Sequence, residues 1–171
     1  MRAAAQQQPL SIVSGGQTGV DQGALAAAMA CGVSCGGWCP DGRRSEDGKI
    51  PAHYPVRELS GSGYRERTLQ NVVDSDGTAI IFNKDLEGGT RLTAALCAQE
   101  SKPYLLIDAA TLNRTDSVDA LGEFIRDNHI LILNVAGPRA SKWPGAHAYT
   151  YALLQRICRS LQATNTGKWS W

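Results

Sequence analysis

The segment Ser11-Ile-Val-Ser-Gly15-Gly16-Gln17-Thr18-Gly19-Val20-Asp21 decides the fold, because a short apolar strand passes through a glycine turn directly into an alanine-rich helix. A helix start leaves backbone N–H groups without intrahelical partners and carries a partial positive charge. Glycine lets an anion approach the main chain closely. The segment therefore predicts a turn that binds a phosphorylated small molecule. Its candidate binding residues are Gly15, Gly16, Gln17, Thr18, Gly19 and Asp21.

Two residues of this turn also have a purely structural interpretation. Thr18-Gly19-Val20-Asp21 fits a capping box. In this motif the Thr18 hydroxyl accepts a hydrogen bond from the third helical N–H, and the Asp21 side chain reaches back to the N-cap amide. The turn lacks both the Gly-x-Gly-x-x-Gly pattern and the lysine of a P-loop. This argues against a standard dinucleotide enzyme and against a P-loop NTPase.

Strand and helix patterns alternate along the rest of the chain. Apolar runs predict strands at Leu10–Ser14, Gly36–Cys39, Ala79–Asn83, Tyr104–Asp108 and Ile130–Val135. Apolar residues three and four apart predict helices at Val20–Cys31, Tyr64–Asp74, Arg91–Ser101, Val118–Asp127 and Ala146–Leu161. Such alternation is typical of an α/β fold, a Rossmann-like three-layer sandwich with an open, mostly parallel sheet and helices on both faces. In such folds ligands bind at the carboxyl ends of the strands.

Length and composition bound the possibilities further. The 171 residues suit one Rossmann-like domain, which we place at 10–162, with a disordered tail at 1–9 and a frayed end at 163–171. Lys and Arg total 17 against 16 for Asp and Glu, which argues against binding of nucleic acid or an anionic membrane. No apolar run reaches 18 residues, so we expect neither secretion nor membrane insertion, and a cytoplasmic location.

The five cysteines form an odd set, and in a cytoplasmic protein we expect them to be reduced. Cys31, Cys35 and Cys39 recur every fourth position, but they span a helix end, a glycine pair and a strand. They would not share one face, and no C-x2-C pair or histidine cluster accompanies them. The sequence therefore predicts no metal site.

A second glycine pair opens a second helix, at Gly88-Gly89-Thr90-Arg91, with Thr90 as the expected N-cap. An arginine in the first turn opposes the helix dipole, and a bound phosphate would compensate for it. Alternatively, Arg91 points to solvent or pairs with Asp85 or Glu87. Recurrence of the glycine-to-helix arrangement favours a ligand role for Gly88, Gly89, Thr90 and Arg91.

Two further loops supply candidate anion contacts. Arg139 and Ser141 follow the last apolar strand and the turn Gly137-Pro138, at the edge where such sheets present ligands. Arg43 follows the second strand, where a dinucleotide fold meets the ribose of its cofactor. The long segment Pro40–Gly63 contains seven Gly or Pro residues, and we expect it to lie over the site.

Groups for chemical catalysis are sparse. The chain has three histidines, no Gly-x-Ser-x-Gly elbow and no His-Glu-x-x-His motif, so acyl transfer is not supported. Acid or base candidates are Asp21, Asp85 and Glu87, each equally explained by capping or solvation. No catalytic residue is assigned.

The chain resembles the molybdenum carrier family over roughly residues 10 to 162. The resemblance rests on Gly15–Leu25, Gly37–Gly48, Arg67-Thr68, Asn71-Val72, Ser75–Thr78 and Gly88–Thr90. It implies a Rossmann-like fold related to the "lonely guy" phosphoribohydrolases and to nucleotide-sensing domains. It also implies binding of molybdenum cofactor, a pterin with a phosphate, or of a nucleotide, in a homo-oligomer.

One departure bears on activity. The phosphoribohydrolases carry Pro-Gly-Gly-x-Gly-Thr-x-x-Glu, whose glutamate takes part in cleaving the N-glycosidic bond, and Thr93 stands at that position here. A neutral hydroxyl cannot act as a carboxylate base. The leading hypothesis is therefore a carrier that holds a phosphorylated pterin or nucleotide; the alternatives are a nucleotide-processing enzyme and a nucleotide-sensing domain. Valine at Gly16 or Gly89 should then block the anion in a folded chain.

Overall fold

The computed structural model describes residues 9–165. The predicted tail at 1–9 lies outside these residues except for Pro9, and of the predicted end at 163–171 only the first three residues are described, within the last helix. The strands are β1 (Ser11–Val13), β2 (Ser34–Gly36), β3 (Trp38–Pro40), β4 (Arg44–Ser45), β5 (Gly48–Lys49), β6 (Arg57–Leu59), β7 (Gly77–Phe82), β8 (Tyr104–Asp108) and β9 (Ile132–Ala136). The helices are α1 (Val20–Ala30), α2 (Tyr64–Val73), α3 (Gly88–Gln99), α4 (Arg114–Asp127) and α5 (Ala146–Asn165), with a 3-10 turn at Asp41–Arg43.

Five strands form a parallel central sheet in the order β2-β1-β9-β7-β8. The last strand of the chain therefore lies between β1 and β7, paired with Ser11–Val13 on one side and with Gly77–Ile80 on the other. The predicted fold class, a Rossmann-like α/β sandwich, is confirmed. None of the helices within residues 9–165 is long and apolar enough to cross a membrane.

Helices cover both faces of this sheet. On one face Ile12, Ile81 and Leu133 pack with buried residues of α1, α4 and α5 in a single apolar cluster. β7 is buried at all six residues and packs against α3 on the other side, where α3 in turn packs against α2. Burial on both faces explains why β7 reads as a continuous apolar run rather than as an alternating one.

The predicted strand Gly36–Cys39 is wrong as a single element. The chain leaves the central sheet at Gly37 and enters a second, two-stranded sheet, in which β3 pairs with β6. Gly37 has φ 128°, and a Cβ there would lie 2.1 Å from the carbonyl oxygen of Ser14. A left-handed backbone pressed against β1 breaks the strand, and only glycine tolerates it.

The segment Pro40–Gly63 was expected to lie over the site, and this expectation is wrong. It holds β4, β5 and β6, and its apolar residues Ile50, Tyr54 and Val56 are buried against Leu25 and Cys39. A small second core therefore anchors the segment beside the first glycine turn.

We expect Gly37→Ala to destabilise the fold by several kcal/mol, because the strain of a left-handed alanine, about 1–2 kcal/mol, adds to a collision with the Ser14 carbonyl. Gly32→Ala is the matched control, since Gly32 also has positive φ (66°) but nothing lies within 4 Å of its would-be Cβ. Gly32→Ala should therefore lower the free energy of unfolding only by the energy of backbone strain. Urea unfolding of both variants measures the difference, and equal losses would contradict the assigned collision.

Candidate functional site

The three loops that follow β1, β7 and β9 meet at the carboxyl edge of the central sheet and enclose a cleft of about 480 Å³. This volume falls within the usual range of small-molecule sites. α2 supplies one wall through Tyr64, Arg67, Thr68 and Asn71. Of the residues predicted from sequence, the cleft is lined by Gly15, Gln17, Asp21, Gly88, Gly89, Thr90 and Arg139. The two glycine turns thus converge on one cavity.

Only some amides of the first turn are left without a partner within the protein. The amide of Gln17 donates to Asp21 Oδ2 at 3.2 Å, and the amide of Thr18 donates to Gln17 Oε1 at 3.0 Å. The amide of Val20, the first helical residue, donates to the Pro138 carbonyl at 3.2 Å. The amides of Gln17, Thr18 and Val20 are therefore used within the protein, whereas those of Gly15, Gly16 and Gly19 make no hydrogen bond within residues 9–165.

The capping box predicted here is also absent in the described form. α1 begins after Gly19, which has φ 80° and no side-chain cap. Thr18 Oγ1 instead accepts from the Ala140 amide at 3.1 Å, so it joins the first turn to the third loop. The Asp21 carboxylate does accept a hydrogen bond from a preceding amide, but this amide is that of Gln17.

Arg67 lines the cleft but is not among the binding residues predicted from the sequence. A Cβ at Gly15 would lie 1.4 Å from Arg67 Nη1, so any side chain there would displace the guanidinium group that rests on this glycine. The Arg67 side chain is 14% exposed, and its Nε has no hydrogen-bond partner within residues 9–165. The signal available in the sequence was the Arg67-Thr68 pair, which occurs among the family motifs but follows no glycine turn.

Asp21 holds Arg67 in place. Arg67 Nη1 lies 3.3 Å from Asp21 Oδ2, and the Asp21 side chain is 4% exposed. Burial raises the pKa of the Asp21 carboxyl above its usual value, and the charge of Arg67 and the Gln17 amide counteract this only in part. The pair therefore leaves part of the guanidinium group available to a second anion.

The second glycine turn is open to the cleft. α3 begins at Gly88, and its N-cap is Glu87, so Thr90 is the third helical residue rather than the predicted cap. The amides of Thr90 and Arg91 bond to the Glu87 carbonyl, whereas those of Gly88 and Gly89 make no hydrogen bond within the described chain. Nothing lies within 4 Å of a would-be Cβ at either glycine. Two free donors at a helix start therefore face the cleft.

Glu46 joins the first turn to the third loop. Thr18 Oγ1 donates to Glu46 Oε1, and the Ser141 amide donates to the same oxygen at 3.1 Å. Ser141 Oγ donates to Glu46 Oε2, and Arg139 Nε lies 3.9 Å from that oxygen. Ser141, a predicted ligand residue, is therefore engaged by Glu46 and does not line the cleft, whereas Arg139 lines it and is 49% exposed.

Three other predicted residues point elsewhere. Arg43 donates to the carbonyls of Ile50, Pro51, Tyr54 and Val56 and so fixes the second core. Arg91 donates to the Leu86 carbonyl at 3.2 Å and is exposed outside the cleft. A Cβ at Gly16 would lie 3.0 Å from Ile50 Cδ1, so valine there would crowd the second core rather than an anion.

The acidic candidates Asp85 and Glu87 both line the cleft, and Glu87 Oε1 lies 3.9 Å from Lys142 Nζ. Thr93 also lines it, but its Oγ1 donates to the Gly89 carbonyl at 2.9 Å. Within residues 9–165 no cluster of three or more His, Cys, Asp or Glu is arranged to hold a metal ion. The site is therefore a cleft lined by two kinds of hydrogen-bond donor, the α3 amides and the Arg67 guanidinium group.

A five-stranded parallel sheet with helices on both faces and a cleft at its carboxyl edge defines a Rossmann-like α/β protein. Residues 12–158 match the circularly permutated YpsA SLOG family, and the chain belongs to this family. No curated protein matches the sequence.

A crystal structure at 1.45 Å resolution, that of a protein from Syntrophus aciditrophicus SB named "Putative molybdenum carrier protein", is similar over 88% of this chain and 95% of that one. The two are 41% identical, with a TM-score of 0.85. The family resemblance read from the sequence motifs is thereby confirmed.

We expect Glu46→Gln to lower the free energy of unfolding at pH 7 by about 1–3 kcal/mol, because charge-assisted hydrogen bonds are weakened. Burial alone would raise the pKa of Glu46, but the bonds from Ser141 and Thr18 outweigh it and hold the pKa below its usual 4.5. The stabilisation is thus present above pH 4.5 and is lost as pH falls through the native pKa.

The difference between wild type and Glu46→Gln should accordingly shrink in acid. Chemical unfolding at a series of pH values from neutral to acid measures it. Glu123→Gln is the control, since Glu123 is exposed on α4 and should show a difference near zero throughout. A Glu46→Gln difference that does not change with pH would contradict the role of the ionised carboxylate.

Proposed function

We propose that this protein binds a small phosphorylated molecule in the cleft, with the phosphate at the start of α3. The observation that carries the proposal is the pair of free amides at Gly88 and Gly89, which face a cavity of about 480 Å³. A helix start of this kind attracts anions through its unpaired N–H groups and its partial positive charge. The volume suits a ligand of the size of a nucleotide or a phosphorylated pterin.

The charges around the cleft support an anion held by a few directed contacts. Three cationic side chains line it, and each has a carboxylate within 4 Å: Asp21 for Arg67, Glu87 for Lys142 and Glu46 for Arg139. Arg139 lies 3.9 Å from Glu46 and is half exposed, so it can turn towards a ligand. Affinity would therefore come from oriented amides and from the cleft-lining guanidinium group of Arg67 rather than from a positively charged surface.

We propose molybdenum cofactor or a nucleotide as the ligand, and a carrier or binding role rather than turnover. The similar crystal structure carries the name of a molybdenum carrier, which supports the first ligand. All five cysteines are free, which suits a protein of the reducing cytoplasm. The predicted homo-oligomer remains part of the proposal.

Hydrolysis of a nucleotide by the phosphoribohydrolase route is the weaker alternative. The residue at the position of that family's glutamate is Thr93, which is 3% exposed and already donates its hydroxyl to the Gly89 carbonyl. It can neither ionise at neutral pH nor accept a proton as a carboxylate does. Binding without turnover is therefore favoured.

Mass spectrometry of small molecules released from protein purified without added ligand tests the proposal directly. We expect a phosphorylated heterocycle in the released fraction. Calorimetric titration with a panel of nucleoside monophosphates provides the second measurement, with the products analysed afterwards. Release of free base at enzymatic rates would overturn the carrier role, and absence of any phosphorylated ligand in both experiments would overturn the binding site.

Gly89→Val should lower the affinity for the ligand found in this way by at least about tenfold, because the new side chain occupies the space in front of the α3 amides. Stability should change little, since nothing lies within 4 Å of the added Cβ. Ala95→Val is the matched control, because Ala95 is exposed on the same helix and does not line the cleft. Unchanged affinity in Gly89→Val would remove the α3 start from the site.

Arg139 and Arg91 were both predicted to contact the ligand, but they should contribute differently to its affinity. Arg139→Ala should weaken binding by roughly tenfold, the value of one charge-assisted hydrogen bond. Arg91→Ala should leave the affinity unchanged, because Arg91 lies outside the cleft and bonds to the Leu86 carbonyl. Calorimetry on both variants decides the point, and equal effects would contradict the placement of these side chains.

A further inference from the structure

We propose that two copies of this chain associate through the edge strand β8, paired antiparallel across a two-fold axis to give one continuous ten-stranded sheet. The inference is independent of the ligand. It rests on the backbone groups, the exposed side chains and the self-complementary sequence of β8.

The backbone of β8 is paired on one side only. β8 ends the sheet order β2-β1-β9-β7-β8, and Tyr104–Asp108 pair with Thr78–Phe82. The Thr78 amide donates to the Pro103 carbonyl, and the Ala109 amide donates to the Phe82 carbonyl, so odd-numbered residues face β7. The amides of Tyr104, Leu106 and Asp108 therefore point outwards. No group in residues 9–165 bonds to them.

The side chains of this edge are apolar and uncovered. Tyr104 and Leu106 are 40% and 41% exposed, whereas Ile107, on the opposite face, is fully buried in the main core. Solvent-facing edge strands are usually protected by lysine, proline or a bulge. The sequence Tyr-Leu-Leu-Ile-Asp of β8 contains none of these. Lys102 and Pro103 precede the strand, but Lys102 Nζ donates to the Ser75 carbonyl and the Pro103 carbonyl faces β7. An edge of this composition favours pairing with another strand.

A second copy is the partner that this strand fits best, because the outward residues pair with themselves under two-fold symmetry. An axis through Leu106 places Leu106 against Leu106 of the second copy, and Tyr104 against Asp108. Leu106 then forms a complete hydrogen-bonded pair, and the Asp108 amide meets the Tyr104 carbonyl of the second copy, while the Asp108 carbonyl keeps its bonds from the Thr111 and Leu112 amides. Asp108 Oδ1 already accepts from the Lys84 and Ala110 amides, and Oδ2 remains to accept from the facing Tyr104 hydroxyl, so the cross-strand pairs are complementary. A self-matching patch is what a two-fold interface requires.

Cysteine cross-linking tests the register. In such a pair the two Cα atoms at position 106 lie about 5.5 Å apart, which a disulfide can span. Leu106→Cys should therefore give a disulfide-linked dimer under mild oxidation, seen on a non-reducing gel and by mass. Leu131→Cys is the matched control, because Leu131 is 40% exposed and precedes β9 rather than β8. No cross-link at position 106, or equal cross-linking at both positions, would overturn the proposal.

Sedimentation of the full chain over a dilution series provides the second test. The wild type should sediment at twice the mass of the chain, and Leu106→Lys should lose this species, because two ammonium groups would face each other across the axis. Leu131→Lys should retain it. A monomeric wild type would show that the edge stays unpaired or is covered by a segment outside residues 9–165, and a dimeric Leu106→Lys would assign the dimer to another surface. Either result overturns the proposal.

Discussion

The pairing of β9 with both β1 and β7 is the constraint on which the rest of the structure depends. It inserts the last strand between the two strands that precede the glycine turns, so three loops far apart in sequence share one edge of the sheet. The loops approach so closely that a Cβ at Gly137 would lie 2.2 Å from the Ile81 carbonyl oxygen. Ser14 Oγ also donates to the Val135 carbonyl at 2.6 Å. The cleft is a consequence of this strand order.

The two glycine turns look alike in sequence but have different roles in the site. At the first, glycine accommodates a side chain, because the Arg67 guanidinium group lies on Gly15 and Asp21 holds it there. At the second, glycine leaves room, because nothing occupies the space above Gly88 and Gly89. One wall of the cleft therefore presents a guanidinium group and the other presents backbone amides. Such a cavity can hold an anion between two kinds of donor.

The pattern of apolar residues correctly predicted those elements in which neighbouring residues share one kind of environment. β7 and β8 were placed to within two residues because burial and alternation act on every residue of a strand. The failures lie where a distant group decides the outcome. Gly37 breaks a strand because of the Ser14 carbonyl, and Arg43 is drawn to four carbonyls of a segment whose packing no periodicity reveals. Arg67 was missed because its role depends on a helix wall that faces Gly15 only in the folded chain.

By itself, the sequence determined the alternating α/β fold, the family and the two glycine turns, since periodicity and glycine placement are properties of neighbouring residues. The tertiary structure decided which side chains reach the cleft: Arg139 lines it, whereas Arg91 and Ser141 do not. It also decided that the amides of Gln17, Thr18 and Val20 are used internally and that those of Gly88 and Gly89 are free. The reason is physical, because a hydrogen-bond donor is available to a ligand only when no acceptor brought close by folding has already taken it.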